Sequence, residues 1–245
     1  MKSPIVFLSA IAVASAAVTT TLPKSAGVEA HPTAIPVKTV YDGGMKRFER
    51  DPPTCGGQQE KGEKDAMFIL ESGATLSNVI LGASQAEELN DSSTLNNVWW
   101  EDVCEDAATF KQPSGTSFVN GGGAFKAKDK ILQFNGRGTV QIKDFYANTY
   151  GKLIRTCGNC PGNGGPRHIT ISGSMGKGGG ELCGINSNYG DTCRVSNSCQ
   201  DSNHSCTRYE GNDQRLEPPT LGSGHDARSS LKQLETDKWR PLLDK

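Results

Sequence analysis

Short apolar segments recur along the middle of the chain. Each ends in a hydrophobic residue, one further residue, and then an asparagine or a small or acidic residue in its place. These last positions are separated by 19, 23, 24, 29 and 24 residues and are Asn78, Asn97, Asn120, Asp144, Gly173 and Asn197. A period of roughly 20 to 50 residues is typical of solenoid proteins. The pattern therefore predicts a stack of similar structural units.

The repeating segments are β-rich. Runs such as Thr94 to Trp100 and Thr139 to Phe145 are short, contain β-branched and aromatic residues, and are divided by Gly and Asn. The region offers no amphipathic helical pattern of useful length, so we predict an all-β fold, a single-domain right-handed parallel β-helix (solenoid) of about seven coils. The recurring Asn residues are expected to stack at a turn in left-handed conformation. An antiparallel β-sandwich with similar strand spacing is the alternative.

The two ends of the chain differ in composition from the repeats. Residues 1–16 have the features of a signal peptide: Lys2, an apolar stretch from Ile5 onwards, and Ala14-Ser-Ala16 as a cleavage site. Residues 17–36 are rich in Thr, Pro and Ala and are expected to form a low-complexity linker. The β-helix domain is expected at residues 37–224, followed by a charged tail at 225–245. The predicted location is secreted and extracellular.

Charge and cysteine content narrow the class of protein. A net charge of −1 gives no long-range attraction to nucleic acid, and no second stretch is apolar enough to span a membrane. Eight cysteines, an even number in a secreted chain, predict disulfides, but their pairing stays open. Cys157-Gly-Asn-Cys160 has half of a zinc-site spacing without a matching second pair, so a disulfide is the favoured interpretation.

Charged residues recur at intervals of about one coil. They are Glu87, then Glu105 and Asp106, then Asp129 and Lys130, then Lys152 and Arg155. Residues one coil apart stack at ~4.8 Å in a β-helix, so these side chains are expected to form a column, acidic below and basic above. Carboxylates suit Ca²⁺, and the cations suit a polyanion. The alternatives are ordinary surface carboxylates and lysines that only pair with them.

Adjacent residues of a strand point to opposite faces, which constrains the acidic end of this column. Glu105 and Asp106 can therefore contribute to one metal site only if the chain bends or bulges between them.

Four long segments resemble the fungal and oomycete pectate lyases of polysaccharide lyase family 3. They are Lys46-Arg-Phe-Glu-Arg-Asp-Pro-Pro-Thr-Cys-Gly-Gly57, Asn97-Val-Trp-Trp-Glu-Asp-Val-Cys-Glu-Asp-Ala-Ala-Thr-Phe-Lys111, Asn120-Gly-Gly-Gly-Ala-Phe-Lys-Ala-Lys-Asp-Lys130 and Tyr150-Gly-Lys-Leu-Ile-Arg155. The resemblance implies a parallel β-helix, bound Ca²⁺ and cleavage of polygalacturonate by β-elimination. It places calcium carboxylates at Glu87, Glu105 and Asp106, a catalytic lysine at Lys130, and further catalytic and substrate-binding cations at Lys152 and Arg155.

One segment departs from the family pattern. Where relatives read Gly-Val-His-Cys-x-x-x-Cys-Thr, this chain reads Glu88-Leu-Asn-Asp-Ser-Ser-Thr94, two residues and two cysteines fewer. A catalytically weakened or inactive pectin-binding (decoy) relative is therefore an alternative function. A glycoside hydrolase on the same fold is another, and it would need two suitably spaced carboxylates and no lysine base. The expected partner is polygalacturonate, and the protein is expected to be a monomer.

Overall fold

The computed structural model describes residues 18–59, 62–86, 89–202, 204–224 and 230–233. Within these residues, strands alternate with turns and two short 3-10 helices occur, Glu63–Asp65 and Ser187–Tyr189. The strands are β1 (Val28–His31), β2 (Ile35–Val37), β3 (Val40–Arg50), β4 (Phe68–Leu70), β5 (Thr75–Leu81), β6 (Leu89–Asn90), β7 (Thr94–Trp100), β8 (Ala108–Phe110), β9 (Thr116–Asn120), β10 (Gly123–Phe134), β11 (Gly138–Lys143), β12 (Tyr146–Thr156), β13 (Arg167–Ser172), β14 (Met175–Lys177), β15 (Glu181–Asn186), β16 (Thr192–Ser196), β17 (Cys199–Gln200), β18 (Cys206–Tyr209), β19 (Thr220–Ser223) and β20 (Ser230–Gln233).

All of these strands except β19, which pairs antiparallel with β18, belong to three parallel ladders around one axis. The first ladder contains the beginnings of β3, β5 and β7, then β9, β11, β13, β16 and β20. The second contains the ends of β3, β5 and β7, the beginnings of β10 and β12, then β14 and β17. The third contains β2, β4, β6, β8, the ends of β10 and β12, β15 and β18. This arrangement confirms the predicted right-handed parallel β-helix.

The core is a set of stacked apolar columns inside the ladders. In the first ladder, successive partners in register are Leu76, Leu95, Val119, Ile142, Ile171 and Val195, each at most 3% exposed. Burial of one such side chain stabilises the folded state by about 1.5–3 kcal/mol. The apolar position of each repeat therefore supplies the same contact in every coil, which explains the regular spacing in the sequence.

The turn that ends the first ladder has the predicted left-handed backbone. Asn78, Asn97, Asp144, Gly173 and Asn197 have φ values between 47° and 61°, and Asn97 Nδ2 donates to Asn78 Oδ1 at 2.9 Å.

Asn120 departs from this pattern. It is the last residue of β9, and its side-chain amide donates to Asn96 Oδ1 at 2.9 Å. The left-handed residue of this coil is Gly121, with φ 64°. The prediction for this turn was thus wrong by one residue, because the asparagine extends the strand instead of ending it.

Strands occur within both segments that were expected to flank the domain. Residues Val28–His31 pair in parallel with Arg47–Arg50, and β2 pairs with β4, so the β-helix begins inside the stretch 17–36. Backbone pairing requires no apolar side chain, which is why a low-complexity segment can form strands here. In the tail, Ser230–Gln233 pairs with β16. The signal peptide predicted at residues 1–16 lies outside the described residues.

Disulfides confirm the interpretation for six of the eight cysteines. Three bonds join Cys55 to Cys104, Cys157 to Cys160 and Cys183 to Cys193. The Cys157–Cys160 bond excludes a zinc half-site at this pair, because bonded sulfurs are not thiolate ligands. The first bond lies immediately before Glu105, and the second lies two residues after Arg155. Both therefore tether chain segments that carry the charged column.

In the described part of the chain, no helix is long and apolar enough to cross a membrane.

Candidate active site

The predicted charged column lies at the edge of the third ladder. Lys130 in β10 is in register with Lys152 in β12, and Lys152 is in register with Glu181 in β15. Between Ala127 and Lys130 the β10–β12 register shifts, because β10 has one extra residue there. Such a bulge changes the facing of the residues it contains. It explains why the adjacent side chains of Asp129 and Lys130 reach the same side of the sheet.

Glu105 and Asp106 lie in the connection between β7 and β8, where the chain bends. Backbone hydrogen bonds hold both ends of the connection: Val103 N–H donates to Phe125 O, and Ala107 N–H donates to Ile131 O. Both acidic residues are buried, at 6% and 3% exposure. The chain therefore has the bend that was expected to be necessary if Glu105 and Asp106 are to contribute to one metal site.

The ammonium group of Lys130 lies among three carboxylates. Its Nζ is 2.6 Å from Asp129 Oδ2, 3.3 Å from Asp106 Oδ1 and 3.9 Å from Glu105 Oε1. Burial works to lower the pKa of Lys130, but the charge of Asp106 and the hydrogen bond to Asp129 outweigh it and raise that pKa. In this arrangement Lys130 is firmly protonated.

Asp129 joins the two lysines and is the residue that the sequence reasoning left without a role. Its Oδ2 accepts from Lys130, and its Oδ1 accepts from Lys152 at 2.9 Å. Burial works to raise the pKa of Asp129, but the hydrogen bonds from Lys130 and Lys152 outweigh it and lower the pKa to about 2. The sequence signal was present, since Asp129 recurs at the one-coil interval, but only the bulge shows that it faces the lysines.

Next to the lysines is a cleft with a volume of about 250 Å³. Its walls combine the ends of β10 and β12 with the segment after Arg155 and the segment before β19. The lining residues are Asp129, Lys130, Gln133, Lys152, Arg155, Gly158, Asn159, Glu217 and Pro218. Three predicted cations thus share one cleft on a chain whose net charge is only −1.

Arg155 also lines this cleft, but it contacts an aromatic ring, whereas the two lysines pair with Asp129. Its Cζ lies 3.7 Å from the centroid of the Tyr209 ring, a stacked cation–π contact. The Tyr209 hydroxyl lies 3.1 Å from Glu181 Oε1. Burial and the charge of Glu181 raise the pKa of Tyr209 to about 12, so this hydroxyl stays protonated and donates to the carboxylate. Neither Tyr209 nor Glu181 was recognised from the sequence.

The structure therefore brings together five of the six residues proposed from the sequence. Lys130 contacts Glu105 and Asp106 directly, Asp129 links Lys130 to Lys152, and Arg155 lines the same cleft. The sixth, Glu87, lies outside the described residues.

The donor set fits a hard divalent cation. Glu105 and Asp106 offer carboxylate oxygens, the ligand type that Ca²⁺ prefers, and they are buried where an unbalanced negative charge is costly. The approach of the Lys130 ammonium to both carboxylates indicates that this position attracts positive charge. A second group, formed by the sulfurs of Cys183, Cys193 and Cys206, has ligand-like proximity. Two of these sulfurs share a disulfide, so this group does not fit a metal.

Comparison with known proteins identifies a family and several relatives of this chain. The family model described as pectate lyase matches residues 19–215. Probable pectate lyase F of Aspergillus fumigatus is 48% identical over 187 residues, which are 75% of this chain and 80% of the relative. Pectate lyase H of Emericella nidulans is 47% identical over 183 residues, 73% of this chain and 70% of the relative.

Solved structures with this fold are also similar. The catalytic domain of pectate lyase PelI from Erwinia chrysanthemi is 26% identical with a TM-score of 0.64, and the match covers 84% of this chain and 94% of that domain. The structure of PelI in complex with tetragalacturonic acid is 28% identical with a TM-score of 0.63, covering 81% of this chain and 66% of the other.

Proposed function

This chain belongs to the pectate lyase family, and from that premise we propose that its cleft cleaves de-esterified polygalacturonate by calcium-dependent β-elimination. The observation that carries the proposal is the convergence of Lys130, Lys152 and Arg155 on one cleft. A chain of uronates presents a carboxylate on each sugar, and such a polyanion matches a local cluster of cations on a nearly neutral protein. The tetragalacturonic acid in the complex with the related PelI is a short chain of such uronates.

Each cation has a role that follows from its chemistry. Lys152 binds a substrate carboxylate as a point charge, and Arg155 binds the neighbouring one through two parallel hydrogen bonds. Lys130 takes the proton from C5 of the uronate between them. The electron pair of the broken C5–H bond forms the C4=C5 double bond, and the C4–O bond breaks with its electrons on oxygen, which then takes up a proton. No water is consumed, so the new end is unsaturated.

Glu105 and Asp106 would hold the calcium ion, and the family resemblance adds Glu87. When bound, calcium supplies positive charge that acidifies the C5 proton and stabilises the negative charge on the substrate carboxylate. The chain's own contribution is to keep two buried carboxylates together in a bend that is tethered through Cys104.

Calcium dependence provides the first test. In an ultraviolet assay for the conjugated double bond, excess chelator is expected to abolish product formation from polygalacturonate, and added calcium is expected to restore it. Asp106→Asn is expected to weaken calcium binding, measured by titration calorimetry, by at least ~10-fold, because affinity follows the number of charged ligands. The matched control is Asp102→Asn, since Asp102 pairs with Lys126 at the surface. Full activity in chelator would contradict the metal mechanism.

The pH dependence provides the second test. Lys130 must be neutral to act as a base, and its pKa is raised by the surrounding carboxylates, so its neutral fraction increases only as the pH rises into the alkaline range. We therefore expect the rate to rise from neutral toward alkaline pH. Asp129→Asn removes one of the groups that raise this pKa and is expected to move the profile toward lower pH. An acidic optimum would indicate a carboxylate base instead.

The product also separates the alternatives. A glycoside hydrolase would release a saturated end without ultraviolet absorption, and a pectin-binding decoy would bind polygalacturonate without any product. Membership in the lyase family does not favour the decoy, even with the shorter 88–93 segment. We infer further that the enzyme is secreted and acts as a monomer on extracellular pectin. Secretion of the full chain from a eukaryotic host, followed by size-exclusion chromatography of the medium, tests both inferences.

A further inference from the structure

The side chains of Arg155, Glu181 and Tyr209, from three successive coils, lie next to one another around Gly184. Arg155 in β12 is in register with Gly184 in β15, so the position next to the arginine has no side chain. A Cβ at Gly184 would lie 2.7 Å from Glu181 Oε1, 3.1 Å from Tyr209 Cε2 and 3.2 Å from Arg155 Cγ. Any larger residue would displace these groups, so the glycine makes room for the three of them to contact one another.

The guanidinium of Arg155 stacks on the Tyr209 ring, and Glu181 accepts a hydrogen bond from the Tyr209 hydroxyl. The ring lies 3.7 Å from Arg155 Cζ, and the hydroxyl lies 3.1 and 3.3 Å from the two oxygens of Glu181. Tyr209 is 8% exposed and Glu181 is 6% exposed. Because the ring is buried and its hydroxyl is held by Glu181, the plane on which the guanidinium stacks has a defined orientation.

The guanidinium keeps hydrogen-bonding capacity for a ligand. Its Nε and Nη2 are buried and donate to no hydrogen-bond acceptor among the described residues, although Arg155 lines the cleft. Stacking on an aromatic face holds an arginine without using its N–H donors, whereas an ion pair with a nearby carboxylate would occupy them. The contact with Tyr209 therefore immobilises Arg155 without engaging its N–H donors.

We propose that Tyr209 and Glu181 are positioning residues that hold the guanidinium of Arg155 ready for a substrate carboxylate. The proposal rests on the proposed function of the cleft, and it adds two residues that act through Arg155 without touching the substrate. A flexible arginine must be ordered on binding, which weakens affinity. A stacked arginine is ordered in advance, so the pair is expected to act on substrate affinity more than on the chemical step.

The experiment is a double-mutant cycle between Tyr209→Leu and Arg155→Ala, with KM and kcat from the ultraviolet assay and affinity for tetragalacturonic acid from calorimetry. Tyr209→Leu is expected to raise KM on the order of tenfold, the size of effect typical of a lost cation–π contact with a buried ring. Its kcat is expected to change much less. In the Arg155→Ala background, Tyr209→Leu is expected to have no further effect on KM or affinity.

Tyr209→Phe and Glu181→Ala complete the set and guard against misfolding. Tyr209→Phe keeps the stacked ring and is expected to raise KM less than Tyr209→Leu. Glu181→Ala is expected to raise KM about as much as Tyr209→Phe. The control for loss of a hydroxyl is Tyr146→Phe, since Tyr146 lies on the second ladder and its hydroxyl accepts from Asn148. The proposal would be overturned if Tyr209→Leu reduced affinity equally in the original protein and in the Arg155→Ala variant. It would also be overturned if a folded Tyr209→Leu variant had an unchanged KM. Absence of ultraviolet product from the unmodified protein would instead contradict the proposed function, and the calorimetric cycle would still test the positioning role.

Discussion

Replacement of Lys130 by glutamine is expected to slow β-elimination by ~10²–10⁴-fold, the usual contribution of a general base. Glutamine is shorter by one atom and cannot accept the C5 proton, and the substrate-binding residues Lys152 and Arg155 stay in the cleft. The measurement is kcat on polygalacturonate at saturating calcium. Affinity for tetragalacturonic acid should largely survive. A variant that kept more than half of the original rate would exclude Lys130 as the base.

The same variant makes a prediction that does not depend on activity. The ammonium of Lys130 lies 3.3 Å from Asp106 and 3.9 Å from Glu105, so it competes with a metal for the same carboxylates. Lys130→Gln is therefore expected to bind calcium more tightly than the unmodified protein in a calorimetric titration. Lys126→Gln is the matched control, because Lys126 pairs with Asp102 at the surface instead. Weaker calcium binding in Lys130→Gln would argue against a metal at Glu105 and Asp106.

Replacement of Arg167 by methionine is expected to lower the free energy of unfolding by about 3 kcal/mol or more, because several buried acceptors lose their donor and each such loss costs about 1–3 kcal/mol. Arg167 has no exposed surface. Its guanidinium donates to the carbonyls of Gly136 at 2.8 Å, Gly164 at 2.7 Å and Asn135 at 3.1 Å, and to Asn163 Oδ1 at 2.9 Å. Methionine fills similar space but leaves these acceptors buried without a donor.

Urea unfolding monitored by tryptophan fluorescence measures this loss. Arg167→Lys keeps the charge with fewer donors and is expected to fall between the methionine variant and the original protein. The control is Arg194→Met, an exposed arginine on the neighbouring strand β16, for which a change within about 0.5 kcal/mol is expected. If Arg167→Met unfolded at the same urea concentration as the original protein, the buried hydrogen bonds would not stabilise the loops around residues 135 and 164.

Only part of the candidate site could be predicted from the sequence. The interval of about one coil placed Lys130 and Lys152 in register, as the structure has them. It could not predict the orientation of Asp129, because an ideal strand points adjacent residues to opposite faces and only the bulge in β10 overrides this rule. Tyr209 was missed for a different reason: it lies 54 residues after Arg155 and contacts it through the stacking of coils.

The sequence by itself determined the repeat and hence the fold. One apolar position per coil, followed by a residue that tolerates left-handed backbone, is enough to specify a stack, because each coil buries the same face against the next. The tertiary structure alone decided which cysteines pair, that Val28–His31 joins the first coil, that Asn120 extends its strand, and that three side chains converge on Gly184. These features depend on distances between residues far apart in the chain, and local propensity carries no information about such distances.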